Sequence, residues 1–453
     1  MRQILRPVLS RRGAMTAAAA AVGSVLAACA RHSGIAPSQP ATQEGIVAPK
    51  APTEVRLHAR AGAEDKFYED RFQALQQQYP TIKPVMENVP GGEYLDKLTA
   101  LAVSGTIGDV VWTAIGGGTV YSLIARNVLS PMDEFVRRDK FDLKQYYPNA
   151  IRGLSKDGKL WSLPFKSHPG GMFLYFNQTM FEQAGLQPPD DNWTLDQLIE
   201  TAKKFVKDTD GDGEPDVWGY TPDRSQKGVL ARTRSFGGEL LDEQGKRSLI
   251  AEPAAVSAIT WKADTFFRHR VAAPPSVQAA AQPNGGLFVM GKLAMMHGFS
   301  STVALQRQVE GRFTMFACLH PKGPAGVPGS DYEADGQAIT DASKNKDAAW
   351  ILAKFLTDHE AGIRLYEVLG GTIGGRPDVY NDPRILKDPI RKVLARGMEN
   401  AQPSRPVHNA RQNEYENTMN RLLNEVFEGR QPASRGYLEQ VQRELQNILD
   451  QPL

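Results

Sequence analysis

Strand-like and helix-like segments alternate along residues 53–112, and this alternation constrains the fold more than any other feature of the chain. Apolar residues recur at every second position of 53–60, which is the period of a strand. They then recur at helical spacing along 68–79, until Pro80 ends the helix. The pattern continues with a strand, a helix and a short apolar strand at 82–89, 93–103 and 109–112. It predicts an α/β protein with mostly parallel sheets that are flanked by helices.

Residues 1–28 have the composition of a signal peptide. Four arginines and no acidic residue accompany an apolar stretch, 14–28, that is shorter than the roughly 20 residues of a spanning helix. Cys29 follows Leu-Ala-Ala, as in a bacterial lipobox, and we therefore expect lipidation of Cys29 after cleavage. An ordinary cleaved signal with an incidental cysteine is the alternative, and Ser10-Arg11-Arg12 leaves the choice between Sec and Tat export open.

The mature chain is expected to begin with a tether. Residues 29–52 are rich in Ala, Pro, Ser, Gln and Thr, a composition that indicates a flexible linker. The leader holds four of the 53 basic residues and none of the 51 acidic ones, so the mature chain has a formal net charge of −2. That balance argues against a nucleic-acid-binding protein. With Cys29 acylated, only Cys318 remains, and no intramolecular disulfide can form.

The segment LFVMGKLAMMHGFSST, residues 287–302, combines two apolar runs around the turn Gly291-Lys292. The first run indicates the end of a helix, and the second, 293–296, indicates a short buried strand. Ligands of open α/β sheets bind at the carboxyl ends of strands, so Phe299 and Ser300 become candidate ligand contacts. A core strand followed by a surface turn is the alternative interpretation.

Several segments, in the family's order, resemble the extracellular solute-binding proteins of ABC sugar importers, the maltose-binding-protein-like family. They are LWSLPF at 160–165, LYFN with F..AGL.PP at 174–189, GG with D..GK at 237–246, FVMGKLAMMHGF at 288–299, DGQAI at 335–339 and NKDAAWILAKFL at 345–356. The resemblance implies a periplasmic-binding-protein-like fold of class II type, with a ligand cleft between two α/β lobes. It assigns 53–167 and 299–357 to lobe 1, and 168–298 and 358–453 to lobe 2.

The resemblance also implies which residues line the cleft. The expected stacking platforms are Trp112, Phe236, Phe299 and Tyr415. The expected polar contacts are the side chains of Arg60, Thr113, His168, Ser300 and Asp335 and the backbone at Gly237, Gly238 and Gly336. For Trp112, a place in the core is an equally good interpretation, and a lone histidine such as His168 is more often structural than functional.

The acidic segment DTDGDGEPD, residues 208–216, has the spacing of the first half of an EF-hand loop. The twelfth loop position is Gly219, where an EF-hand needs a bidentate glutamate, so an EF-hand is not expected. A weak structural Ca²⁺ site is the hypothesis, and an ordinary acidic surface turn is the alternative. Its ligands would be Asp208, Asp210, Asp212, Glu214 and Asp216. No other cofactor is expected.

These observations predict a membrane-tethered solute-binding subunit that captures a sugar or oligosaccharide and delivers it to an ABC permease. We expect an exported monomer, facing the periplasm or the cell exterior, without enzymatic activity and without nucleic acid. A binding protein for a polyamine, a peptide or a glycerol phosphate ester is the first alternative. Arg224, Arg232 and Arg234 would suit an acidic group on such a ligand, and a solvated run of arginines is the other interpretation of this segment. A secreted carbohydrate hydrolase is the second alternative. The chain has no G-x-S-x-G or H-E-x-x-H motif, although a glycosidase needs only two carboxylates.

Overall fold

The computed structural model describes residues 48–370 and 374–452. The predictions for the signal peptide, for Cys29 and for most of the linker therefore lie outside the described residues. Within the described ranges, every helix is too short or too polar to cross a bilayer.

The described residues form eleven strands. They are β1 Thr53–Arg60, β2 Ile82–Val89, β3 Val110–Ala114, β4 Ser155–Lys156, β5 Lys159–Leu160, β6 Leu163–Pro169, β7 Phe173–Asn177, β8 Trp218–Thr221, β9 Leu293–Gly298, β10 Met315–Leu319 and β11 Tyr332–Ile339. The helices are α1 Asp65–Gln78, α2 Tyr94–Val103, α3 Thr119–Ala125, α4 Asp133–Arg138, α5 Pro148–Gly153, α6 Gln178–Gln183, α7 Leu195–Lys203, α8 Gln226–Ser235, α9 Pro253–Phe266, α10 Pro275–Ala281, α11 Gly286–Val289, α12 Leu305–Val309, α13 Lys346–Phe355, α14 His359–Leu369, α15 Pro377–Tyr380, α16 Pro383–Leu386, α17 Pro389–Asn400, α18 Gln412–Phe427 and α19 Arg435–Leu449.

The first sheet has the strand order β2-β1-β3-β11-β6. Strands β1, β2 and β3 are parallel, and they alternate with α1 and α2 as the sequence predicts. Strand β11 lies between β3 and β6 and is antiparallel to both. All eight residues of β11 are buried, because helices cover this part of the sheet on both faces. The predicted α/β fold class is confirmed.

The second sheet has the strand order β10-β7-β9-β8. Strand β7 is antiparallel to both β9 and β10, whereas β8 and β9 are parallel. The segment 287–302 has the predicted form, since α11 ends in the first apolar run and β9 contains the second. The carboxyl ends of β8 and β9 therefore lie side by side and define one edge of the second lobe.

The chain passes from the first sheet to the second through 170–172, between β6 and β7, and it returns between β10 and β11. The sequence predicted that the chain returns to lobe 1 at residue 299. The return instead follows β10, which ends at Leu319. Strand β10 pairs with β7, with Met315 opposite Asn177, and so belongs to the second sheet. Helix α14 also differs from its expected place in lobe 2. Arg364 pairs with Asp70 of α1 at 2.6 Å, which ties α14 to the first lobe.

Helices α8, α9, α18 and α19 form a separate hydrophobic core with the hairpin around 240–250. In α18 and α19, buried apolar side chains recur at helical spacing, which explains why these helices pack as pairs. This helical layer belongs to the second lobe and places the polar face of α18 beside the first lobe.

Candidate functional site

Charged side chains converge at the carboxyl ends of β1 and β3, where parallel strands of the first sheet end together. Lys166 of β6 is 3 % exposed and lies 2.6 Å from the Asp335 carboxylate of β11. It also forms an ion pair with Glu64. Burial alone would lower the pKa of Lys166, but the two carboxylates outweigh it and raise that pKa. The same ion pair outweighs burial at Asp335 and lowers its pKa, so Lys166 and Asp335 both stay charged.

Arg60 and Trp112, both predicted from the sequence, belong to this group. The Trp112 indole donates a hydrogen bond to Asp335 at 3.3 Å, and the Arg60 guanidinium lies 4.7 Å above the Trp112 ring. Trp112 is only 6 % exposed, so its covered ring is a core element rather than an open stacking platform. Arg60, with a side chain 42 % exposed, is the member of this group that faces solvent.

Thr113 and Gly336 are interior residues of the first sheet. Thr113 is fully buried and shares a 2.8 Å hydrogen bond with the Ser162 hydroxyl. The Cα of Gly336 packs against the same Ser162 and leaves no room for a side chain. The predicted ligand contacts of Thr113 and Gly336 are therefore wrong, because Ser162 occupies the space in front of both residues.

A second group of charges joins the two lobes. Lys227 of α8 lies 2.7 Å from Glu333 of β11. The Gly117 amide, in the turn Gly116–Gly118 after β3, donates a hydrogen bond to Glu416 of α18. Gly116 packs directly against the Glu333 carboxylate, which explains why a side chain is absent there. The lobes therefore meet through polar groups.

His168 lies between the two charged groups, as its predicted place beside the cleft requires. Burial lowers the pKa of this imidazole, although the neighbouring carboxylates of Glu333 and Asp335 oppose the shift. The ring is therefore neutral at physiological pH, and its buried Nδ1 has no hydrogen-bond partner among the described residues.

A cavity of about 620 Å³ opens at the carboxyl ends of β8 and β9. Its walls come from both strand ends, from α11 and from the polar face of α18. The polar side chains on it are Thr221, Asp223, Arg224, Ser225, Gln278, Gln282, His297, Thr302, Asn420 and Asn424, and the apolar ones are Pro222, Leu287, Phe288, Leu293, Met296, Phe299 and Leu305. Its volume falls within the range of small-molecule sites.

Phe299 lines this cavity and is half-buried. Its amide donates to the Thr302 hydroxyl at 3.0 Å, and its carbonyl accepts from the Tyr175 hydroxyl at 2.7 Å. The His297 ring is nearly parallel to the Phe299 ring, at 17° and 6.4 Å between centroids. These contacts fix the aromatic ring at the cavity wall. Ser300 is only 3 % exposed and lies buried beside the cavity. The predicted contact between its hydroxyl and a ligand is therefore wrong.

The remaining predicted residues lie elsewhere. Phe236 lines a different cavity, of about 510 Å³, and Gly237 and Gly238 line a third, of about 820 Å³, beside the loop 326–330. Tyr415 is 1 % exposed, and its hydroxyl donates to the Leu240 carbonyl and the Ser248 hydroxyl. Its predicted stacking role is wrong, because both faces of the ring are packed in the helical core.

Several residues of the site were not predicted from the sequence. Lys166 and Glu333 are charged residues inside buried strands, and a charged residue within a predicted strand is the signal that could have identified them. Asn420 and Asn424 lie one helical turn apart on the face of α18 opposite its apolar stripe. The helical spacing of the apolar residues of α18 includes Tyr415 in the face that packs in the core.

Two of the three arginines that favoured an anionic ligand are engaged within the protein. Arg232 is 1 % exposed and contacts His320, and Arg234 pairs with Glu239 at 2.9 Å. Arg224 alone of the three lines the cavity, where it contacts Asn424 at 3.4 Å. Of these three arginines, Arg224 therefore offers the one partly engaged guanidinium to a ligand in this cavity.

The acidic loop gathers three of its five predicted ligands. Carboxylate oxygens of Asp208, Asp210 and Asp216 lie within 4.8 Å of one another. Asp212 accepts from the Glu214 amide at 2.8 Å, and Glu214 pairs with Arg270 at 3.3 Å, so both stand outside that group. Three carboxylates match the oxygen ligands that Ca²⁺ prefers, but they leave its coordination of six to eight incomplete without water.

Two α/β lobes, polar contacts between them and a cavity at paired strand ends define a solute-binding protein. The chain belongs to the bacterial extracellular solute-binding proteins, a family that it matches over residues 61–363. It is 22 % identical over 341 residues to the maltotriose-binding protein of Pyrococcus abyssi (strain GE5 / Orsay), a match that covers 73 % of this chain and 69 % of that protein. The resemblance found in the sequence is confirmed.

Solved structures share the fold. An ABC substrate-binding protein from Listeria monocytogenes, in complex with cycloalternan, aligns with a TM-score of 0.76 at 19 % identity and covers 87 % of this chain and 98 % of its own. The maltose-bound MalE3 of T. maritima aligns with a TM-score of 0.70 at 21 % identity, covering 87 % and 99 %. These relatives are binding proteins rather than enzymes.

Proposed function

We propose that this protein is the solute-binding subunit of an ABC importer and that its ligand is a sugar or an oligosaccharide. One observation carries the proposal. The cavity at β8 and β9 combines a fixed aromatic ring, Phe299, with the amides of Asn420, Asn424 and Gln282. An aromatic face and planar amides match the apolar faces and the hydroxyls of a sugar ring. The maltotriose and maltose ligands of the relatives support the same ligand class.

The charges near the cleft support a neutral ligand over a phosphate ester. The carboxylates of Asp331, Glu333 and Glu416 surround a single ammonium, that of Lys227. An anionic group would add like charge there, which costs free energy at low dielectric. The same excess of carboxylates favours a polyamine as the second candidate ligand.

The leader and the linker support a tethered protein outside the cytoplasm. A lipid on Cys29 would hold the protein at the membrane, and the linker of 29–52 would let the lobes reach a permease. We propose that the closed monomer then delivers its ligand to the transmembrane subunits of the importer.

A ligand screen on the purified protein tests the proposal. A ligand that binds only the native state raises the melting temperature, so we expect maltose or maltotriose to raise it more than sn-glycerol 3-phosphate. Spermidine, measured in the same screen, tests the polyamine as the second candidate ligand. Calorimetry on the best ligand should give one molecule per chain, with the sugar recovered intact.

Two outcomes contradict the proposal. Release of shorter sugars during the titration would make the protein a hydrolase. A melting temperature that responds to spermidine and to none of a broad set of saccharides would replace the sugar with a polyamine.

A further inference from the structure

Asp331 lies where the chain returns from the second lobe to the first, directly before β11. Its side chain is fully buried. One carboxylate oxygen accepts from the Tyr332 amide at 2.9 Å, whereas the other has no hydrogen-bond partner among the described residues. The Asp331 carbonyl accepts from the Gly170 amide at 3.0 Å, so this carboxyl sits between the two crossings of the chain. A buried carboxylate oxygen without a donor favours protonation.

Two further carboxyls face the same place from different elements. Glu333 follows on β11 and pairs with Lys227 of α8, and Glu416 approaches from α18. The charged and titratable groups around Asp331 are Glu333, Lys227 and Arg234, and those around Glu416 are Lys227 and Glu333. Arg234 pairs with Glu239, and burial keeps His168, beside Glu333, neutral. Among the described residues that surround the three carboxyls, Lys227 is therefore the cation that balances their charge.

The position of these groups ties their protonation to the movement of the lobes. Glu333 belongs to the first lobe, whereas Lys227 and Glu416 belong to the second. The turn Gly116–Gly118 of the first lobe packs against Glu333 of the same lobe and donates the Gly117 amide to Glu416 of the second lobe. Opening would therefore admit water to Glu416 and would separate it from Glu333.

We propose that closing of the two lobes takes up a proton, which Asp331 or Glu416 holds beside Glu333. Burial, with the nearby Glu333 charge, raises the pKa of Asp331 to about 7, and burial also raises the pKa of Glu416. A group whose pKa is higher in the closed form favours that form as the pH falls. For one proton and a closed-form pKa near 7, a change from pH 8 to pH 6 shifts the ratio of closed to open protein about tenfold.

The test follows the lobes in the unliganded full-length protein. Dyes on Val103→Cys and Val277→Cys, two exposed positions on the first and second lobe, report the distance between the lobes by energy transfer. Cys318 is buried and stays unlabelled. We expect the ratio of the two populations to shift about tenfold toward the closed form between pH 8 and pH 6.

Two isosteric variants and one control decide the outcome. Asp331→Asn and Glu416→Gln mimic the protonated carboxyls, so at least one of them should hold the closed form at pH 8 and flatten the pH dependence. Glu414→Gln changes an exposed carboxyl of the same helix, paired with Arg411, and should leave the dependence unchanged. Two results would overturn the proposal: a wild-type ratio that is constant with pH, or an unaltered dependence in both variants. Because the experiment uses no ligand, a failed sugar screen leaves it intact.

Discussion

Replacing Phe299 with alanine tests whether the cavity at β8 and β9 is the ligand site. The ring is half-buried, and its backbone is held by hydrogen bonds with Thr302 and Tyr175. Truncation therefore removes the aromatic surface without releasing the strand end. We expect ligand affinity to fall while the free energy of unfolding changes little.

The expected loss of affinity follows from two contributions. Aromatic stacking typically provides about 1 kcal/mol beyond the burial of area. Covering one ring face, about 50 Å² of apolar surface, adds about 1.3 kcal/mol at roughly 25 cal/mol per Å². Since every 1.4 kcal/mol corresponds to a factor of ten, the Kd should rise about 10- to 100-fold. Phe299→Leu, which keeps apolar volume but loses the π-face, should fall between the wild type and the alanine variant.

Phe288 provides the matched control on the same cavity. It is 3 % exposed, and its ring packs edge-on against Phe313 at 5.5 Å. Phe288→Ala should therefore cost about 3–5 kcal/mol of unfolding free energy, as truncation of a core phenylalanine does. Urea unfolding and calorimetric titration of both variants separate the two roles. If Phe299→Ala loses as much stability as Phe288→Ala and binds ligand normally, Phe299 is a core residue and the cavity is not the site.

Three further predictions concern other parts of the chain. Cys29→Ser should abolish incorporation of labelled fatty acid, and continued acylation at the N-terminus would refute the lipoprotein proposal. Millimolar Ca²⁺ should raise the melting temperature, Asp210→Asn should remove the rise and Asp212→Asn should retain it; equal responses of the two variants would leave only an acidic turn. Burial lowers the pKa of Lys262 from 10.5 to about 7, so the folded state holds fewer protons than the unfolded state between these values. Stability should therefore rise from pH 7 to pH 9, by up to about 1.4 kcal/mol per pH unit, and Lys262→Met should flatten this dependence in denaturant unfolding.

Local patterns predicted much of the fold. The strand expected at 82–89 is β2 without a shift, and the apolar run at 293–296 lies within β9. These elements follow from the period of apolar residues, which the sequence displays directly. The sheet to which a strand belongs has no such local signal. Strand β10 pairs with β7, which lies about 140 residues earlier, and this contact decided the lobe boundary.

The candidate site was predicted less completely, for a related reason. Phe299 was placed by the end of the strand that carries it, and Arg60, His168 and Asp335 were placed by the resemblance to the family; all four lie near the charged groups or the cavity. The charged partners were not predicted, since an ion pair joins residues far apart in sequence. Lys227 and Glu333, for example, are separated by more than one hundred residues.

The position of β11 in the first sheet affects the order in which the protein can be built. This strand lies between β3 and β6, so β6 has no neighbour in its sheet until residues 332–339 have left the ribosome. About three quarters of the chain must therefore be synthesised before the first lobe can close, and its assembly depends on contacts of long sequence separation. The second sheet, whose strands all precede β11, can therefore assemble before the first.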